Sequence, residues 1–168
     1  MKNLLLTFLF LLGFWGCSGT DDSDPVSTEI NATGFIRGYV NSTSWYSSKI
    51  TTSKNNNIRI VKATQEFSNH PIFSSSVLEF RIGVSLAGVY GIGEDEPGYK
   101  YYIKAYYTLV SKSGTEDEYY KAYYNDTSLL TINRINDSGL DANFNFTART
   151  DDSTKTVVFT TGSIQINY

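Results

Sequence analysis

Six residues in two matching segments have side chains suited to holding a ligand. They are Tyr102, Lys104 and Tyr106 in "KYYIKAYY", and Tyr119, Lys121 and Tyr123 in "YYKAYY". The tetrapeptide "KAYY" occurs at Lys104 to Tyr107 and again at Lys121 to Tyr124, on either side of the turn-forming stretch "SKSGTED". An antiparallel hairpin is the economical reading. Side chains alternate between faces along a strand, so Tyr101, Ile103, Ala105, Tyr107, Tyr120, Ala122 and Tyr124 are expected in the core. The six named residues are then expected in water as one Tyr and Lys stripe. Flat aromatic faces stack on sugar rings, and hydroxyl and ammonium groups hydrogen-bond to them. A contiguous exposed aromatic patch marks a binding surface. The plainer reading of the same residues is that Tyr favours strands and pairs across them at ~0.2–1 kcal/mol per pair, with Lys guarding an edge.

Other reactive residues lack companions. Glu94, Asp95 and Glu96 form one acidic cluster, and Glu116, Asp117 and Glu118 form another. A glycosidase needs two carboxyls facing each other across a cleft, ~5 Å or ~6.5–9.5 Å apart. Adjacent acids in polar turns read instead as solvated turns. No D-x-D-x-D-G loop for calcium occurs. The single histidine, His70, precedes Pro71 in a polar loop with no local nucleophile or orienting acid. With one Cys and one His, a zinc site would need carboxylates. No cofactor is expected, and a hydrolase is the least favoured function. Trp45 is expected in the core beside a turn. The N-x-S/T triplets at Asn31, Asn41, Asn125, Asn136 and Asn145 read as chance in an Asn- and Thr-rich chain.

The elements that must position these residues are strands. Few charges (18%) with 13 Tyr and abundant Thr favour strands over helices. "VLEFRIGVSL" alternates Leu78, Phe80, Ile82, Val84 and Leu86 against Glu79, Arg81, Gly83 and Ser85. "LDANFNFTAR" sets Leu140, Ala142, Phe144, Phe146 and Ala148 against Asp141, Asn143, Asn145, Thr147 and Arg149, and "GSIQINY" sets Ile164, Ile166 and Tyr168 inward. Period two means one face in a core and one in water. Turn-forming stretches such as "VNSTSW", "SKNNN", "SNHP" and "NDSG" fall between the runs. The expectation is an all-β fold, an antiparallel β-sandwich of roughly ten strands, with a calycin-like β-barrel as the alternative. The net charge of −3, with no basic block, argues against duplex nucleic acid as a partner.

The one cysteine, Cys17, follows the apolar run Leu4 to Phe14, which is led by Lys2. That run is too short to span a bilayer, which takes roughly 20 apolar residues, and suits a signal core of roughly 7–15. The Gly16–Cys17 junction resembles a bacterial lipoprotein signal, cleaved before a cysteine that takes a diacylglyceryl group. Each buried methylene then stabilises attachment by ~0.8 kcal/mol, and more than one chain holds the protein on its membrane. Three segments are expected: 1–16 a signal peptide, 17–31 a flexible acidic and polar tether, and 32–168 one β domain. "SGTDDSDPVSTE" after Cys17 resembles the acidic export signal of Bacteroidota surface lipoproteins. The expected location is the outer membrane on its outward side, with the periplasmic side as the alternative.

Two further stretches carry a resemblance. "GFIRGYVNSTSWYSSKI", and "SLLTINRINDSGLDANFNFTAR" followed by "KTVVFTTGSIQINY", resemble the opening and the closing half of a domain-of-unknown-function family of small Bacteroidota lipoproteins. The resemblance implies a β fold and a lipoprotein location, and it transfers no catalytic residue. "DST" at Asp152 to Thr154 resembles the O-glycosylation motif of the same bacteria, which would place a sugar on Ser153. The expected role is a non-enzymatic binding module for a glycan or an envelope protein. The alternative is a structural or assembly lipoprotein.

Overall fold

The computed structural model describes residues 28–94 and 102–168. Cys17, the signal segment 1–16, most of the tether, Asp95, Glu96 and Tyr101 lie outside the described residues. Eleven strands follow in order: β1 (Ile30–Val40), β2 (Thr43–Ser47), β3 (Lys49–Asn55), β4 (Ile58–Glu66), β5 (Phe73–Ile82) and β6 (Gly88–Gly91). Then come β7 (Ile103–Ser111), β8 (Glu118–Tyr123), β9 (Leu129–Asn136), β10 (Gly139–Arg149) and β11 (Thr156–Asn167). The fold is all-β, and every strand pairing is antiparallel. No helix among the described residues is long and apolar enough to cross a membrane.

The strands form one sheet in the order β11-β1-β3-β4-β5-β7-β8-β10-β9-β6, with β2 beside β1 and β11 also beside β10. Two strands share an edge between neighbours and so turn the corners. β1 pairs β3 through Ile30 to Ala32 and β2 through Ile36 to Val40. β10 pairs β9 through Gly139 to Asn145 and β8 through Thr147 to Arg149. The β11–β10 pairing closes the path β1-β3-β4-β5-β7-β8-β10-β11 on itself, with β2, β9 and β6 beside that ring, an arrangement consistent with either a sandwich or a barrel-like sheet. Gly34 occupies the first corner at φ +124°, where a Cβ would stand 2.0 Å from the Gln165 carbonyl oxygen. Only glycine fits so close a backbone approach.

The inward faces meet in an aromatic and aliphatic core. Phe80 of β5 lies 5.0 Å from Phe144 and 5.9 Å from Phe146 of β10, ring centre to ring centre. Tyr107 of β7 lies edge-on to Phe159 of β11 at 5.1 Å. Neither pair of strands is hydrogen-bonded to the other, so these contacts cross the interior of the sheet. Each buried Phe contributes about 1.5–3 kcal/mol over its exposed state. The alternation in β10 holds throughout, with Leu140, Ala142, Phe144, Phe146 and Ala148 buried.

Several expectations need correction. The strand count is not one of them: the described residues form eleven strands where roughly ten are expected, with Ser48 alone between β2 and β3. The first strand starts at Ile30, two residues before the expected opening of the β domain at 32. The alternating run of β5 stops at Ile82, so Leu86 is 73% exposed instead of inward. Gly83 donates its N–H to the Tyr102 carbonyl, which ends the ladder there. Tyr124 lies past the end of β8 and is exposed rather than in the core.

Candidate functional site

The hairpin of β7 and β8 forms as its repeated tetrapeptide requires, with Tyr106 opposite Lys121 and Tyr107 opposite Tyr120. Tyr107, Tyr120 and Ala122 are buried, as alternation demands. On the outer face, Tyr106 stacks on Tyr119 with ring centres 5.8 Å apart. The Arg81 guanidinium lies 4.7 Å above the Tyr106 ring and is itself bonded to Glu79 at 2.6 Å. Tyr106 therefore points outward yet is only 7% exposed. Burial, then a hydrogen bond to Glu94, pushes its phenol well above the usual tyrosine range. Burial also raises Tyr119, and the nearby Glu79 carboxylate adds to the effect.

The remaining stripe residues are engaged in the same way. Lys121 reaches Asp151 at 2.9 Å and lies 5.9 Å over the Tyr119 ring. Arg149 covers the Tyr123 ring at 4.5 Å, and Lys104 lies 3.5 Å from Glu94. Tyr102 is exposed, but it sits before the first residue of β7, at the end of the ladder. The six residues share a face without making the one open aromatic patch expected of them. They form a ladder in which a cation caps nearly every ring. Such cation–ring contacts contribute ~0.5–1 kcal/mol each at exposed sites.

The other outer face differs. β2, β1, β11 and β10 lie side by side, and Tyr46, Arg37, Ser163 and Asn143 form one register row across them. Tyr39 and Tyr46 are 47% and 52% exposed. With Arg37, Asn143, Asn145 and Gln165 they line an open groove of about 740 Å³. Phe35 stacks on Tyr46 at 6.3 Å and lies 5.1 Å under Arg37. A bulge in β11 shifts the register against both β1 and β10 beside this groove. Its Thr161 has φ +52° and donates its N–H to Asn145 Oδ1 at 2.8 Å. A positive φ is an outlier for a β-branched residue. The sequence signal for this face lies in "GFIRGYV", where Phe35, Arg37 and Tyr39 alternate against Ile36, Gly38 and Val40.

No family model, curated protein or solved structure matches this chain. Its own geometry must carry any functional reading. His70 is a loop staple: its Nδ1 accepts the N–H groups of Ile72 and Phe73, and its ring sits between Phe67 and Phe73. Trp45 is a core residue, its indole N–H donating to Ser76 Oγ at 2.9 Å. Asp117 accepts the Ser111 N–H, Glu118 bonds Lys155 and Tyr120, and Glu116 is exposed in the turn. Among the described residues no group of three or more His, Cys, Asp or Glu side chains could hold a metal ion.

Proposed function

We propose that this chain is a lipid-anchored, non-catalytic binding module of a bacterial outer membrane, surface-exposed and held by acylated Cys17. Its ligand is a glycan or a partner protein of the envelope. The observation that carries this reading is the pair of exposed tyrosine rings on the outer face of β1 and β2. Tyr39 and Tyr46 each present about half of their surface to water, 47% and 52%. Exposed rings on a rigid β scaffold provide contact area at little entropic cost.

The test uses the full mature chain in detergent micelles, screened on a glycan array and by pull-down from an envelope extract. Capture of a glycan or of one envelope protein supports the module. A blank result in both overturns it. Membrane fractionation of a Cys17→Ser variant tests the anchor, and a variant that stays with membranes removes the lipid from the proposal. A second reading, an assembly lipoprotein, draws on the edge strands: among the described residues β2 pairs only with β1, and β6 only with β9. Open edges of this kind can accept a strand from another chain.

A further inference from the structure

We propose that the groove over β2, β1, β11 and β10 is a binding site for a neutral oligosaccharide. This rests on the binding-module reading and names the ligand class and the face.

Charge decides the class. Among the described residues the groove lining carries one cation, Arg37, and no acid. That cation already lies over the Phe35 ring. A phosphorylated or polyanionic ligand needs several cations, and a cationic one needs acids. A neutral ligand needs neither. The rest of the wall consists of amides, hydroxyls and rings: Asn143, Asn145, Gln165, Tyr39 and Tyr46. A carboxamide donates and accepts at once, which matches a sugar hydroxyl that also does both. The Asn143 and Gln165 amides make no hydrogen bond among the described residues. Asn145 uses its Oδ1 on the bulge, which fixes the side chain and leaves its NH₂ group to donate.

Shape supports the same occupant. Tyr39 faces Ser44 and Tyr46 faces Arg37 across the β1–β2 hairpin, so the two rings are diagonal neighbours on one face. Diagonal pairs stand roughly 7–8 Å apart, within reach of aromatic side chains. The row from Tyr46 to Asn143 crosses three interstrand gaps of about 4.8 Å, or about 14 Å in all. This gives a linear oligosaccharide rings to lie on at one end and amides to bond at the other. The β11 bulge keeps Thr161 in a conformation that costs energy, directly beside Asn145. Bulges and backbone outliers of this kind concentrate beside functional sites. On the β5–β7–β8 face, Arg81, Lys121 and Arg149 are paired with acids or rings.

The experiment titrates the full chain in micelles with neutral hexasaccharides: cellohexaose, xylohexaose and mannohexaose. Hexagalacturonate serves as the anionic comparison. One neutral hexamer is expected to bind, and hexagalacturonate to bind more weakly. Tyr39→Ala with Tyr46→Ala should weaken that binding by about tenfold or more. Asn143→Asp with Gln165→Glu keeps the side-chain shapes, removes the donors and should weaken it similarly. Tyr102→Ala with Tyr119→Ala should leave it unchanged. If that last pair alone abolishes binding, the groove is overturned and the module stands with its ligand on the other face. If no neutral hexamer binds but the groove variants lose capture of an envelope protein, the sugar is overturned in favour of a protein. If neither glycan nor protein binds, groove and module fall together.

Discussion

Ser76 has no solvent exposure, and its hydroxyl stands between two large rings. It accepts the Trp45 indole N–H at 2.9 Å, and its hydrogen bond with the Tyr107 hydroxyl opposes the upward pull of burial on that phenol. Strands β2, β5 and β7 thus meet at one oxygen. Ser76→Ala strands a buried indole N–H, and a buried group left without its partner costs about 1–3 kcal/mol. Urea unfolding should show that loss with an unchanged denaturant slope. A midpoint equal to the parent's would mean the relay contributes nothing. Trp45 illustrates what single residues reveal: its burial beside a turn was legible, because a large ring in an alternating run faces inward. Its hydroxyl partner was not, because Ser76 lies 31 positions away in a serine run with no distinguishing feature. Gly162 is similar. A Cβ there would stand 2.3 Å from the Phe144 ring, and only the bulge geometry shows why.

At the scale of elements, the β1–β2 hairpin turns on Asn41 and Ser42, with φ of +48° and +67°. Two positive φ values in a two-residue loop are the requirement of a type I′ turn, which favours Asn-Gly. Asn41 meets it, and its Oδ1 also accepts the Val158 N–H at 2.9 Å. Ser42 strains against it, since left-handed backbone costs roughly 1–2 kcal/mol outside glycine. Ser42→Gly should therefore raise the urea midpoint, with a gain of up to about 1 kcal/mol once glycine's greater unfolded freedom is deducted. A fall in midpoint would show that the serine side chain matters more than its backbone. The β10–β11 turn is tied to β8 by Glu118, which bonds Lys155 and Tyr120. The Lys155 and Tyr120 hydrogen bonds hold the Glu118 carboxyl below its ordinary range. A lowered carboxyl adds stability that is complete above the ordinary glutamate range, about 4.3, and is lost as pH falls below it. Glu118→Gln should flatten the acid limb of a stability–pH curve while leaving neutral-pH stability lower. An unchanged acid limb would remove Glu118 from the account. Strands such as β10 were legible because their period was unbroken. The end of β5 was not, because "GVSL" keeps the alternating pattern after the backbone has left the ladder.

The whole molecule is governed by how its tyrosines are distributed between the interior and the outer faces of the sheet. The Tyr and Lys ladder was legible as a stripe because its residues are close in sequence. Its cations were not, since Arg81 and Arg149 arrive from β5 and β10. The groove was harder still, because its rings come from β1 and β2 while its amides come from β10 and β11, over a hundred positions on. Local alternation says which way a side chain faces and nothing about which distant strand lies beside it. The same distribution sets the alkaline behaviour. Tyr106, Tyr107, Tyr119, Tyr120 and Tyr168 all have phenols raised above the ordinary value, with burial as the leading cause in each. The fold thus favours their neutral forms. Stability from a raised phenol is complete below the unfolded tyrosine range, about 10, and is lost as pH rises through and beyond it. The unfolded chain releases these protons first, so alkali draws the equilibrium toward it. The urea midpoint should hold steady from neutral pH to about 9 and then fall steeply, with phenolate absorbance rising together with the loss of β-sheet dichroism. Tyr120→Phe, which removes one raised phenol, should make that fall shallower. Native protein whose tyrosines all ionise near 10 while the midpoint stays level would show that the burial of these rings does not couple to folding.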